Sequence, residues 1–172
     1  MFAIRCTKKL LDRVSAKALP LPVPPTTVLG DWYANLAFTR PEQHIVCISE
    51  RTLLPVVVTA KDAKSLPDRL AEATAEVLMA IGVAATDIDE EVKQMNSAYF
   101  AKTADRRVLG SLNDFVFHFE HGTGSDMRMS LLERTLRMAH MPCGAIEYAY
   151  PSEAALAAFA ARKVMKAASS AA

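Results

Sequence analysis

Short runs in the first third of the chain alternate apolar and polar positions with a period of two, the pattern of strands in a sheet. Residues 2–6 form the first run. Over 31–39 the alternation predicts one arm of a hairpin, and its second arm covers 44–48. A valine-rich run over 53–59 predicts a third strand of this group. Pro55 favours an edge position or a strand start, because proline lacks the amide hydrogen that a central strand donates.

The rest of the chain places apolar residues at intervals of three and four, which predicts helices. Capping residues and glycines mark most of their ends. The predicted helices begin at Thr7, run from Ser65 to Gly82, from Thr86 to Asn96, over 106–121, from Ser125 to Pro142, and start again at Pro151. Further short strands are predicted over 99–102 and 146–150.

Strands gathered early and helices following in a run predict an α+β fold. We expect a small antiparallel or mixed sheet with helices packed mainly on one face. Residues 1–166 are predicted to form a single domain, and residues 167–172 a frayed C-terminal tail. The proline-rich strap 19–25 is too short to separate two domains and favours an extended path across the surface.

Composition supports one globular core: 51% of the 172 residues are hydrophobic and 23% are charged. Twenty basic and nineteen acidic residues leave a formal net charge of +1, which argues against tight nonspecific binding of nucleic acid. Charged residues near the N-terminus interrupt the apolar run that a signal peptide would need, so export is not expected. The apolar runs are also too short to span a membrane. The three cysteines form no close pair, as expected of thiols in a reducing cytoplasm.

Several enzyme motifs are absent from the sequence: a phosphate-binding P-loop, a dinucleotide-binding glycine pattern, a nucleophile elbow and a paired Cys-x-x-Cys. The glycine-rich stretch 122–125 lacks a lysine and follows a helix, so it is typical of a helix end. No metal or organic cofactor is therefore expected.

Two weaker patterns in the second half of the chain have ordinary structural explanations. Four side chains could in principle surround zinc: His118, His121, His140 and Cys143. Single histidines on helices are more often packed or solvated. Ser111, Asp114 and His118 imitate a nucleophile, acid and base in a row, but side chains on one helix face rarely converge on a shared proton.

The most informative pattern is a pair of strand-to-helix junctions that carry cations. At each junction, free backbone amides and the helix dipole attract anions. A neighbouring cation is therefore unfavourable unless an anion or a carboxylate neutralises its charge. The predicted anion-binding residues are Lys8, Lys9, Lys102, Arg106 and Arg107. The predicted supporting polar residues are Thr7, Asn35, Thr103, Asp105, Ser111, Asn113 and Asp114.

An alternative explanation for the same cations remains open. Their long side chains extend into water, or pair with Asp12 and Asp105. Trp32 and Tyr33 could add a stacking surface to the site, although Trp32 shares its face with apolar residues that favour a core position.

Five stretches in order carry a family resemblance: CTKKLLD at 6–12, WYANL at 32–36, KTADR at 102–106, VLGSLNDF at 108–115 and YAYP at 148–151. Together they are similar to a family of small bacterial proteins known only as a domain of unknown function. The resemblance spans most of the chain. It implies a bacterial origin and a stand-alone or module-like domain, and it carries no activity or catalytic residues that could be transferred.

These observations favour a non-catalytic binding module for a phosphate-bearing ligand, nucleic acid or an acidic partner protein, with no membrane partner. The alternative is a small phosphoester- or nucleotide-handling enzyme, in which Lys102 and Arg106 stabilise charge. Asp105 or Asp114 would then act as the base. A third possibility is an interaction-only protein that uses the acidic stretch 87–91 and the strap. The oligomeric state stays open.

Overall fold

Five strands and six α-helices form the part of the chain that the computed structural model describes, residues 1–19 and 23–170. The strands are β1 (Phe2–Cys6), β2 (Trp32–Phe38), β3 (Gln43–Ser49), β4 (Pro55–Thr59) and β5 (Ala98–Lys102). The helices are α1 (Lys8–Val14), α2 (Leu66–Ile81), α3 (Ala85–Met95), α4 (Arg106–His121), α5 (Leu131–Ala139) and α6 (Pro151–Ser170).

The strands form one mixed sheet in the order β4-β3-β2-β1-β5. β1 runs parallel to both of its neighbours, β2 and β5, whereas β2, β3 and β4 are antiparallel. The predicted α+β class and mixed sheet are therefore confirmed. Pro55 begins the edge strand β4, in agreement with the expected edge position.

Both faces of the sheet are buried. On β2, Trp32 and Leu36 join the larger hydrophobic core, to which α1, α2, α3 and α6 contribute. Tyr33 and Ala37 point the other way and join a second core with α4. Helix α5 contributes to both. Most helices thus lie on one face, as expected, and α4 covers the other.

The predicted helix start at Ser125 is wrong by several residues. Helix α5 begins at Leu131, after a turn-rich segment. Its start is fixed by a capping box, in which the Ser130 hydroxyl accepts from the Glu133 amide and the Glu133 carboxylate accepts from the Ser130 amide. This reciprocal pair satisfies two otherwise free helix amides, so it outweighs the weaker signal at Ser125.

The predicted strand over 146–150 is also wrong. The chain there makes a 3₁₀ turn, Gly144–Ile146, followed by a single bridge between Cys143 and Ala149. Glu147 and Tyr148 adopt φ values of 56° and 62°. Two successive left-handed residues reverse the chain, which an extended strand cannot do.

The C-terminal helix extends beyond the predicted end of the domain. Helix α6 continues through Ser170, four residues into the segment predicted to fray. Residues 20–22 of the proline-rich strap and residues 171–172 lie outside the described residues. Within the described residues, every helix is too short or too polar to cross a lipid bilayer.

A buried carboxylate holds the loop that leads into β2. Glu91 on α3 is fully buried, and its two oxygens accept the amides of Val28 and Leu29 at 2.7 and 3.0 Å. Arg162 on α6 lies 3.7 Å from the same carboxylate. The sequence analysis considered the acidic stretch 87–91 only as a surface for contact with another protein, so this buried anchor was not predicted.

Candidate functional site

The two cation-bearing junctions lie side by side at one edge of the sheet. β1 and β5 are parallel neighbours, and Cys6 pairs in register with Lys102, so both strands end together. Helix α1 then packs on one face of the sheet and α4 on the other. Parallel neighbours whose following helices diverge to opposite faces form a topological switch point, and ligands of α/β sheets bind in the crevice outside such strand ends.

A cavity of about 600 Å³ lies at this edge, between α1 and the end of β5. We call it the switch-point cavity. Its lining residues are Cys6, Lys8, Leu11, Asp12, Ala16, Ala18, Lys102 and Thr103. It therefore brings together Lys8 and Lys102, two predicted anion-binding residues from segments far apart in sequence. Neither ammonium has a carboxylate within 4.0 Å among the residues described.

A chain of polar side chains crosses the same edge on the α4 side. The Thr7 hydroxyl donates to Asn35 Oδ1 at 2.7 Å, and the amide of Leu36 donates to the same oxygen at 2.9 Å. Asn35 Nδ2 in turn donates to Asn113 Oδ1 at 3.4 Å. Three predicted polar residues therefore hold one another and fix the start of α1 against β2 and α4. Thr7 occupies the N-cap position of α1, but its hydroxyl is used in this chain.

The start of α4 is capped by its own carboxylate. Asp105 accepts the amides of Arg107 and Val108 at 2.7 and 3.3 Å, and its own amide donates to the Tyr33 hydroxyl at 3.0 Å. The amides that were expected to attract an external anion here are already satisfied. The Asp105 carboxylate is likewise occupied, which makes it a poor candidate for a general base.

Arg106 and Arg107 do not line the switch-point cavity. They line a second cavity of about 480 Å³ between α4 and residues 141–145, which we call the α4 groove. Ser111 and Asp114 lie on the same groove. The residues predicted to form one anion site are thus divided, because α4 crosses to the face of the sheet opposite α1.

The remaining predicted residues contribute differently. Thr103 lines the switch-point cavity, while Lys9 is exposed on α1. Trp32 and Tyr33 are both fully buried, so they offer no stacking surface, and the core position favoured for Trp32 is confirmed. Within residues 1–19 and 23–170 there is also no cluster of three or more His, Cys, Asp or Glu side chains suited to a metal ion.

Two cysteines line the cavities as protonated thiols. Burial raises the pKa of Cys6, in the switch-point cavity, to about 12. Burial, followed by the negative charge of Asp114, raises the pKa of Cys143 in the α4 groove to about 11. Because the thiolate is the nucleophilic form of cysteine, neither residue is activated for covalent chemistry at neutral pH.

A buried ion pair beneath the crevice was missed by sequence reasoning. Arg5 Nε donates to Asp31 at 2.9 Å, and Arg5 NH2 lies 2.7 Å from the same oxygen. The other Asp31 oxygen accepts the Ala3 amide at 2.8 Å. Arg5 NH1 also contacts the Lys102 carbonyl at 3.5 Å, which ties the pair to the end of β5. The available signal was a single charged side chain inside an otherwise apolar strand.

The fold and this edge define a single α+β domain with a mixed sheet and a polar crevice where parallel strands end. The chain belongs to the family described as Domain of unknown function (DUF6933), whose profile matches residues 3–154. The resemblance found in the sequence is thereby confirmed. Comparisons with curated proteins and with solved structures gave no match.

Proposed function

We propose that this chain is a non-catalytic binding module whose switch-point cavity holds the phosphate group of a small ligand. The observation that carries the proposal is the meeting of Lys8 and Lys102 at one cavity of about 600 Å³. Neither side chain has a carboxylate partner among the described residues, and phosphate oxygens would accept charge-assisted hydrogen bonds from both ammonium groups.

The lining of the cavity favours a small ligand over a polyanion. Asp12 lies on the same cavity as Lys8 and Lys102, so its carboxylate repels a second phosphate and accepts from a ligand hydroxyl or amine. A nucleic-acid surface needs several phosphate contacts along a basic stripe. The near-neutral net charge of +1 and the separation of Arg106 into another cavity both speak against such a stripe.

Binding is favoured over the enzyme alternative by the placement of the residues that catalysis would need. Lys102 and Arg106 line different cavities, which argues against their stabilising charge on one reacting group. Asp105 is engaged in capping α4, and Cys6 is a protonated thiol. The switch-point cavity therefore has cations for holding an anion and lacks an activated nucleophile.

The test is a thermal-shift measurement with adenosine monophosphate, inorganic phosphate and a 20-mer oligonucleotide as probes. We expect a mononucleotide at about 100 times its Kd to raise the Tm of the wild type by roughly 5–10 °C. The Lys8→Ala/Lys102→Ala variant should lose this shift. The matched control is Lys61→Ala/Lys64→Ala, which removes two exposed lysines that do not line the switch-point cavity.

The probes separate the competing functions. A shift that only the oligonucleotide produces would replace the proposal with nucleic-acid binding. If neither phosphate nor the mononucleotide shifts the wild type, or if the double variant keeps the full shift, the proposed site is wrong.

A further inference from the structure

A glycine in the middle of α4 meets no structural requirement among the residues that the structure describes. Gly110 lies inside the sixteen-residue helix α4 and is exposed. A methyl group on its Cα would meet nothing within 4 Å. At Gly122, by contrast, the same group would come within 2.6 Å of His118 Nδ1. Glycine is among the least favourable residues inside a helix, so Gly110 lowers helix stability while relieving no contact.

The space that Gly110 leaves open belongs to the α4 groove. Phe115, Met141 and Pro142 supply apolar walls next to the bare helix backbone, and Ser111, Asp114 and His118 supply polar ones. The Asp114 carboxylate is eight residues after Arg106 on α4, about 12 Å along the helix axis, so it leaves the Arg106 end of the groove open to an anion. A groove of about 480 Å³ is of the size that small-molecule sites have. The apolar walls and the open space at Gly110 leave room for an apolar group laid across the helix.

Cations lie one helical turn before this space. Arg107 NH1 donates to the Ala145 carbonyl at 2.9 Å, which fixes the opposite wall of the groove. The Arg106 guanidinium makes no ion pair with any described residue. A free guanidinium presents a planar fork of donors that matches a carboxylate or a phosphate. The Asp105 carboxylate already accepts the amides of Arg107 and Val108, so the attraction for an anion comes from the Arg106 side chain.

We propose that the α4 groove binds a small organic anion, whose flat apolar body lies over Gly110 and whose carboxylate or phosphate group pairs with Arg106. This site shares no lining residue with the switch-point cavity. The inference therefore stands or falls separately from the proposed function. It also gives Gly110 a role, because any larger side chain would occupy the place of the ligand.

The test is calorimetric titration of the whole chain with phenyl phosphate, benzoate and inorganic phosphate. We expect phenyl phosphate or benzoate to bind at least about tenfold more tightly than inorganic phosphate binds to the same groove, since the apolar body adds buried area. Whichever of the two binds more tightly identifies the anionic group. Gly110→Leu should abolish this binding, and Gly110→Ala should weaken it.

The variants are expected to remain folded. Because alanine is a better helix former than glycine, Gly110→Ala should raise the Tm by roughly 2–4 °C while weakening the probe. Phe117→Ala, an exposed change elsewhere on α4, should leave binding unchanged. Arg106→Met should weaken the probe, whereas Lys8→Ala/Lys102→Ala should not.

The inference would be overturned if neither aromatic probe binds, or if Gly110→Leu binds them as tightly as the wild type does. Loss of binding in Lys8→Ala/Lys102→Ala, with retention in Gly110→Leu, would assign the probes to the switch-point cavity instead.

Discussion

Replacing Glu91 with alanine is expected to lower the free energy of unfolding by about 3–5 kcal/mol, a large share of the stability of a domain this size. The Glu91 carboxylate is fully buried and is the acceptor for the amides of Val28 and Leu29. Alanine leaves both amides buried without a partner, and it removes the charge that faces Arg162. Urea denaturation of wild type and variant measures the difference.

Glu90 provides a matched control on the same helix. Its carboxylate is half exposed and pairs with Arg162 and Lys166 on α6. Glu90→Ala removes the same charge and the same contact with α6, but it leaves no buried amide unpaired, so we expect a much smaller change. Equal destabilisation by the two variants would show that attraction between α3 and α6 matters, and that the buried hydrogen bonds do not.

The pH dependence of the free energy of unfolding tests the role of Glu91 in a second way. Burial raises the pKa of Glu91 above its ordinary value of 4.5, against the opposing effect of the two amide hydrogen bonds. A raised native pKa means that the folded state binds the proton more tightly than the unfolded chain does. This contribution to stability is complete below pH 4.5 and is lost as pH rises through the native pKa. Wild type should therefore lose stability relative to Glu91→Gln, whose side chain does not titrate, as pH rises over that interval. Urea denaturation of both proteins at a series of pH values measures the change.

Local sequence signals were sufficient to predict the bounds of a helix where capping residues mark both its beginning and its end. Helix α4 has the predicted bounds because Asp105 caps its first amides and Gly122 ends it. The segment around Tyr148 lacks such a marker, since its left-handed conformation falls on two residues that are not glycine. Glu91 escaped notice for a related reason: periodicity shows which face of a helix is polar, but it does not show that one carboxylate on that face is covered by a loop.

The candidate site depends on information that no local pattern contains. Periodicity places Lys8 and Lys102 just after or at the ends of strands, but only the strand order, with β1 between β2 and β5, makes them neighbours. The same order separates Lys102 from Arg106. These residues are close in sequence, yet the start of α4 carries Arg106 to the other face of the sheet.

A second large effect is expected at the ion pair beneath the crevice. Asp31→Ala should lower the free energy of unfolding by about 3–5 kcal/mol, because it leaves a largely buried guanidinium without its carboxylate. The Arg5 side chain is 12% exposed and the Asp31 side chain 2% exposed. The Ala3 amide, in the middle of β1, also loses its acceptor. Urea denaturation measures the loss. The pair of half-buried Asp126 and exposed Arg128 offers a control, since Asp126→Ala should change stability little.

A double-mutant cycle separates the charge from the amide at this pair. Arg5→Met removes the cation while keeping an unbranched apolar side chain, so Arg5→Met/Asp31→Ala no longer buries an unpaired charge. If the unpaired guanidinium causes most of the loss, the double variant is destabilised by clearly less than the sum of the single variants. Strict additivity would contradict this account and would leave the hydrogen bond to Ala3 as the main role of Asp31. In either case the Lys102 carbonyl loses its contact with Arg5, so the end of β5 is held less firmly wherever Arg5 is replaced.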